Sequence, residues 1–228
     1  VQTLAIVQDE RYFLFLSMDF IPEKLNHYVE AHTTTETDLL KKINRDTHAH
    51  VLKPRMLSGH VQGRFLSLIS KMIRPGRILE IGTYTGYSAV CLAEGLSPEG
   101  KLITIDINEE LESRVRGYFN EAKITDRVDY RIGDARTIIP SLTDRFDLVF
   151  IDADKENYSF YFDLVIDKVT SGGYLLADNV LWSGKVVEPK PDKDTQAILD
   201  FNDKIQRDQR VENLLLPLRD GMMMMRKN

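Results

Sequence analysis

The chain has 228 residues, 43% hydrophobic and 29% charged, which suits one well-buried α/β domain. A net charge of −5 argues against nonspecific nucleic-acid binding, and a single cysteine, Cys91, excludes an internal disulfide framework and fits a reducing, cytoplasmic setting. No stretch approaches the roughly 18 consecutive apolar residues of a membrane span.

Val1 to Ser17 holds two apolar clusters split by Gln8-Asp9-Glu10-Arg11, with no basic leader and no small-residue cleavage site. It reads as an extension preceding a single domain over 18–228. Ile21 to Leu40 has a helical but strongly charged pattern, with Thr33 to Thr35 as a break or cap. His48 and His50 form a tempting metal pair, but no carboxylate cluster lies near them in sequence, so a solvated loop is the better reading. Met56 to Met72 reads as a helix, with Val61, Phe65, Leu68, Ile69 and Met72 at helical spacing.

After Pro75-Gly76 a strand–loop–helix rhythm sets in. Strands are expected at Arg77 to Ile81, Lys101 to Ile105, Val128 to Ile132, Asp147 to Ile151 and Tyr174 to Ala177. Helices are expected at Tyr87 to Glu94, Glu109 to Ala122, Ala135 to Leu142, Asn157 to Lys168 and Thr195 to Arg207. Val211 to Pro217 and Met222 to Arg226 are separated by a short turn and should pair as a hairpin. Such alternation predicts a Rossmann-like α/β fold: a seven-stranded, mostly parallel sheet with an antiparallel C-terminal hairpin strand and helices on both faces. Cys91 falls inside the first of the sheet-covering helices and reads as core. Met222 to Met225 reads as apolar filling of the last strand.

Two apolar runs end in acids. Phe146 to Ile151 leads into Asp152-Ala153-Asp154-Lys155, and Gly173 to Ala177 leads into Asp178-Asn179. A buried parallel strand does not readily carry a carboxylate, so these side chains belong just past the strand ends, the edge where open α/β sheets bind ligands. Asp152, Asp178 and Asn179 offer hard oxygen ligands suited to Mg²⁺ or a similar cation. Taken singly, each reads equally well as a helix cap or an Asx turn.

Between the first strand and its helix lies Leu79-Glu80-Ile81-Gly82-Thr83-Tyr84-Thr85-Gly86-Tyr87-Ser88. The glycine spacing is not that of a dinucleotide pyrophosphate loop. Glu80 is a poor neighbour for a phosphate and suits a ligand bearing an ammonium group. Asp106 ends the next strand, where an acid typically bonds ribose hydroxyls. Gly133-Asp134-Ala135 follows the third strand, where side chain and backbone can flank an adenine. In this order the signals point to S-adenosylmethionine.

These motifs, with Ile151 to Tyr158 and Ala177 to Gly184, resemble the cation-dependent O-methyltransferases typified by catechol and caffeoyl-CoA O-methyltransferases. The resemblance runs from about Phe20 to the C-terminus and is nearest the caffeoyl-CoA branch and its bacterial relatives. It implies a SAM-dependent O-methyltransferase in which Glu80, Gly82, Thr83, Ser88, Asp106, Ala135 and Asp154 match cofactor-binding positions, with Ser58 and Tyr161 as further ones. By the same resemblance Asp152, Asp178 and Asn179 match the metal ligands (Mg²⁺, with Mn²⁺ or Ca²⁺ as alternatives) and Lys155 the general base. The plant branch typically carries two threonines where this chain has Leu57-Ser58. Homodimers are usual among relatives.

The reaction so implied moves a methyl group from the sulfonium to one hydroxyl of a catechol-like vicinal diol. A phenol of pKa about 10 is mostly protonated at neutral pH. A dication offering open positions stabilises and orients the oxyanion, and it makes the neutral amine of Lys155 accessible as proton acceptor. Trp182 is expected at the acceptor pocket, and Tyr158 either there or in the core. Two other readings stay open. One is methylation of a hydroxylated uridine in tRNA, helped by a basic stripe from Lys41, Lys42, Arg45, Lys53 and Arg55. The other is a noncatalytic SAM-binding protein, against which the complete set of ligands plus Lys155 argues.

Overall fold

The computed structural model describes residues 21–228; the extension expected over Val1 to Ser17 lies outside them. Its centre is a seven-stranded sheet in the order β3-β2-β1-β4-β5-β7-β6. The strands are β1 (Arg77–Ile81), β2 (Lys101–Asp106), β3 (Val128–Ile132), β4 (Phe146–Ile151), β5 (Val169–Asp178), β6 (Val211–Leu216) and β7 (Met222–Lys227). The first five are parallel to one another, while β7 runs antiparallel to both β5 and β6. The fold is the one expected from the sequence.

The parallel strands are apolar on both faces because both are covered. Leu79, Ile81, Val149, Ile151, Leu175 and Ala177 pack with helices α6 (Ala135–Ser141), α7 (Tyr158–Ile166) and α8 (Lys193–Arg207). Ile78, Leu102, Leu148, Phe150 and Leu176 pack with α2 (Asp38–His50), α3 (Gly59–Ile73), α4 (Tyr87–Ala93) and α5 (Glu112–Glu121). The methionine run of β7 is split by the two-residue period. Met223 and Met225 join the first core, Met222 and Met224 the second.

Three local expectations change. The charged N-terminal region is two helices, α1 (Glu23–Ala31) and α2, and Thr37 caps α2 by accepting from the Leu40 amide at 3.3 Å. His48 and His50 therefore lie in the exposed last turn of α2 and not in a loop. The next helix begins at Gly59, after a 3-10 turn at Pro54–Met56. Its buried face is also rotated from the one expected: Phe65 and Ile69 still pack against the core, but at its edge. Leu68 and Met72 are 60% and 79% exposed, whereas Gln62, Gly63, Leu66, Ser67 and Ser70 are buried. Small residues win because α3 lies close against α4: a Cβ on Gly63 would fall 2.5 Å from the Tyr87 ring. Finally, β5 starts at Val169, five residues before the apolar run that announced it.

Candidate active site

The C-terminal ends of β1, β2, β4 and β5 share one edge of the sheet. The loop after β1 is held by two backbone bonds. The Gly82 amide donates to Ile105 O at 2.9 Å, and the Asp152 amide donates to Ile81 O at 2.8 Å. Gly82 has φ +100°, and a Cβ there would lie 1.9 Å from the Asp152 carbonyl oxygen. Only glycine lets the β1 loop lie against the end of β4. The Tyr84 amide then donates to Asp106 Oδ2 at 2.6 Å, while Asp106 Oδ1 accepts from the Asn108 amide at 2.8 Å. Asp106 thus fixes the glycine loop as well as its own turn.

Ser58, Gly82, Thr83, Ser88 and Asp152 line one cleft, with Met56, Leu57 and Tyr84 beside them. Glu80 is fully buried next to it. Its Oε2 accepts from Thr104 Oγ1 at 2.5 Å, and Thr104 Oγ1 lies 2.5 Å from Thr83 Oγ1. Glu80 Oε1 has no partner. Burial raises the Glu80 carboxyl to about 8, against the lowering influence of the Ser88 and Thr104 hydroxyls. A buried acid with an orphaned oxygen beside a cleft fits a ligand that brings a positive charge.

On the far side of β4, Tyr161 donates to Asp154 Oδ1 at 2.6 Å, and burial, followed by that hydrogen bond, raises the phenol above its usual range. Asn157 donates to the other Asp154 oxygen. Ala135 begins α6 behind its N-cap Asp134, whose carboxylate pairs with Arg136 at 2.7 Å. The fold therefore gathers every expected cofactor-side residue along one edge, with Asp154 and Tyr161 as a bonded pair.

Asp152 and Asn179 also converge, on the ammonium of Lys155, with Asp178 buried next in the chain to Asn179. Lys155 sits on a 3-10 turn, Lys155–Asn157, that directly follows the end of β4. Its Nζ donates to Asp152 Oδ1 at 3.2 Å, to Asn179 Oδ1 at 2.7 Å and to the Tyr158 hydroxyl at 2.5 Å. Asn179 has φ +60°, a region this residue tolerates, and its side chain meets Lys155 there. Asp178 is buried: Oδ1 accepts from the Asn179 amide at 2.8 Å and Oδ2 from Gln62 Nε2 at 2.7 Å. Burial first, and the Asp152 charge second, raise Asp178 to about 7, opposed by Lys155, Gln62 and Arg219. Glu156, next in the chain, pairs with Lys193 at 2.8 Å and not with Lys155.

Hard oxygens already gathered about one positive charge fit a divalent cation. Among the described residues no cluster of three His, Cys, Asp or Glu side chains is present, because this donor set is two carboxylates and an amide. Tyr158 is core, fully buried, edge-on to Phe201 and donating to Asp178 O at 3.0 Å. Trp182 packs against the α7–α8 core, with its Nε1 buried and unpartnered. Cys91 is buried and pushed up to about 12, an inert thiol.

The comparisons agree with this geometry. The family model described as O-methyltransferase matches residues 30–228. The chain belongs to the O-methyltransferase family. Members of this S-adenosylmethionine-dependent family share its fold, and the similarity spans nearly the full length of the relatives. Caffeoyl-CoA O-methyltransferase 1 of Eucalyptus globulus is 33% identical over 84% of this chain and 82% of its own. The Bacillus cereus O-methyltransferase in complex with SAH superposes with a TM-score of 0.82 at 30% identity, covering 90% of this chain and 97% of that one. The SAM complex of TomG from Streptomyces achromogenes, involved in tomaymycin synthesis, gives 0.81 at 27% identity, covering 90% and 96%.

Sequence reading missed Gln62, Arg219 and Asp220. Arg219 Nη1 donates to Leu57 O at 2.9 Å, to Gln62 Oε1 at 3.1 Å and to Ser58 O. Asp220 accepts from the Ser183 amide, and its backbone oxygen accepts from Leu181 at 2.9 Å. One signal was present for Gln62: a long polar side chain flanked by glycine on the small-residue face of α3.

Proposed function

We propose that this O-methyltransferase transfers the methyl group of S-adenosylmethionine to one hydroxyl of a catechol-like small molecule in the cytoplasm, with a divalent cation held by Asp152, Asp178 and Asn179. The observation that carries the reading is the convergence of Asp152 and Asn179 oxygens on one ammonium beside the buried carboxylate of Asp178. The donor would lie in the cleft lined by Ser58, Gly82, Thr83 and Ser88. Glu80 would face the charge of its methionine end, Asp106 its ribose, and Ala135 with the Asp154–Tyr161 pair its base.

A divalent cation bound to the three oxygens supplies Lewis-acid stabilisation and orientation of an ionised acceptor oxygen. Lys155, in the neutral form that a bound dication beside it would favour, would receive the acceptor's proton, with Tyr158 fixing its Nζ from the core side. The acceptor oxygen then forms its bond to the methyl carbon as the carbon–sulfur bond breaks. The sulfur keeps the electron pair and departs as the neutral thioether. What the protein contributes is alignment, two reactants held about 3 Å apart on axis.

A small phenol is favoured over tRNA because the basic stripe is partly neutralised. Lys42 pairs with Glu121 at 2.6 Å, and Lys41 lies 4.0 Å from Asp38. The test is turnover of a caffeate-like catechol beside hypomodified tRNA, with Mg²⁺ or with EDTA. Methylation of the catechol that EDTA, Asp152→Ala and Asp178→Ala each abolish is the expected result. Full turnover in EDTA removes the cation, and methylation of the tRNA alone transfers the assignment to the nucleoside.

A further inference from the structure

Asp178 ends β5 and Leu57-Ser58 precedes α3, yet the turn between β6 and β7 reaches both, Leu57-Ser58 directly through Arg219 and Asp178 through one intervening side chain. The link is Gln62, which is fully buried. Its Nε2 donates to Asp178 Oδ2 at 2.7 Å, and its Oε1 accepts from Arg219 Nη1 at 3.1 Å. The orientation of the amide follows from chemistry. A guanidinium only donates and a carboxylate only accepts, so the flipped amide would face like against like at both ends. The same Arg219 nitrogen donates to the carbonyls of Leu57 and Ser58, the segment that walls the cleft assigned to the donor.

We infer that Gln62 and Arg219 are positioning residues that couple the wall of the donor cleft to the cation ligand Asp178, Gln62 by fixing the carboxylate and Arg219 by fixing both Gln62 and Leu57-Ser58. The inference rests on the cation and donor assignments proposed above. Asp178 has both oxygens held by protein donors, Asn179 N on one and Gln62 on the other, so its remaining lone pairs point in set directions. Partners of this kind typically contribute tenfold to a hundredfold in metal affinity. The two residues have separable effects. Gln62 contacts the cation ligand itself, whereas Arg219 contacts the donor wall directly and the cation ligand only through Gln62.

The full chain and its variants are titrated with Mn²⁺ alone, followed by electron paramagnetic resonance, and with S-adenosylhomocysteine, followed by calorimetry. Gln62→Met should weaken Mn²⁺ about tenfold or more and leave S-adenosylhomocysteine within about twofold. Arg219→Met should weaken both ligands. The double variant should bind Mn²⁺ no more weakly than Gln62→Met, because Arg219 reaches the cation ligand through Gln62. Arg219 is exposed, so its variant folds even where Gln62→Met does not, and its two affinities then decide. Wild-type Mn²⁺ affinity in Gln62→Met, fully additive losses in the double variant, or an Arg219→Met that spares either ligand overturns the coupling and leaves the reaction assignment standing. A wild-type protein that binds no Mn²⁺ overturns the cation assignment and this inference with it.

Discussion

Gly82→Ala tests the backbone contact between the glycine loop after β1 and Asp152, the residues proposed to face the donor and the cation. The added Cβ would lie 1.9 Å from the carbonyl oxygen of Asp152 and 2.7 Å from its carbon. Neither atom belongs to a flexible side chain, and both segments are held by ladder-type bonds to Ile105 and Ile81. Overpacking of this kind costs about 1–3 kcal/mol. Alanine at φ +100° adds about 1–3 kcal/mol of backbone strain. A central sum of about 4 kcal/mol lowers Tm by roughly 12 °C for a domain of this size, at about 3 °C per kcal/mol. Gly117→Ala is the control: it lies in α5 with no atom within 4 Å of the new Cβ, and it should stabilise by about 0.5–1 kcal/mol. Thermal melts and S-adenosylhomocysteine calorimetry on both variants make the comparison. A Gly82→Ala protein that melts within about 2 °C of wild type and binds S-adenosylhomocysteine normally refutes the contact's importance.

Two further outcomes follow from charges that the fold has buried. Glu80 is raised from 4.5 to about 8, so between those values the folded chain keeps a proton that the unfolded chain has lost. Stability of the ligand-free protein therefore falls as pH rises through that window, by up to about 1.4 kcal/mol per pH unit. Glu80→Gln should flatten that slope in urea titrations at pH 5.5, 6.5 and 7.5, each about one unit apart, whereas an unchanged slope excludes Glu80 as its source. Lys155→Met removes the ammonium that Asp152 and Asn179 share and should lower kcat more than it raises KM. It should also lower Tm by more without Mn²⁺ than with it, because a divalent cation restores the missing charge. Equal melting losses in both conditions dismiss Lys155 as the apo site's counter-charge.

The sheet was legible because each strand's signal is local. Arg77–Ile81 and Val128–Ile132 carry the boundaries expected from pattern alone. Helix α3 was misread on its face because apolar spacing marks a helix but does not say which side packs. The deciding fact, the approach of Gly63 to Tyr87, joins positions that lie in different elements. The early start of β5 was hidden by Ser171-Gly172-Gly173, which reads as a turn yet continues the strand. In the site, the residues with strand-end signatures were found where expected. Gln62 and Arg219 were not, since nothing local in sequence ties them to Asp178 or to each other.

The strand order explains why one short segment reaches both of the proposed binding sites. In the order 3-2-1-4-5, strand β4 lies between β1 and β5. The residues that follow β4 must therefore abut the β1 glycine loop on one side and the β5 acids on the other. Asp152 meets the glycine loop through its backbone and Lys155 through its side chain. Asp154 and Lys155, next in the chain, divide the same way: Asp154 turns to Tyr161 and Lys155 to Asn179. A shift of β4 by one residue exchanges those faces and separates Lys155 from the Asp152 and Asn179 oxygens that it now meets. The register of Ile151 against Ile81 and Ala177 is thus as much a part of the chemistry as any side chain in the cleft.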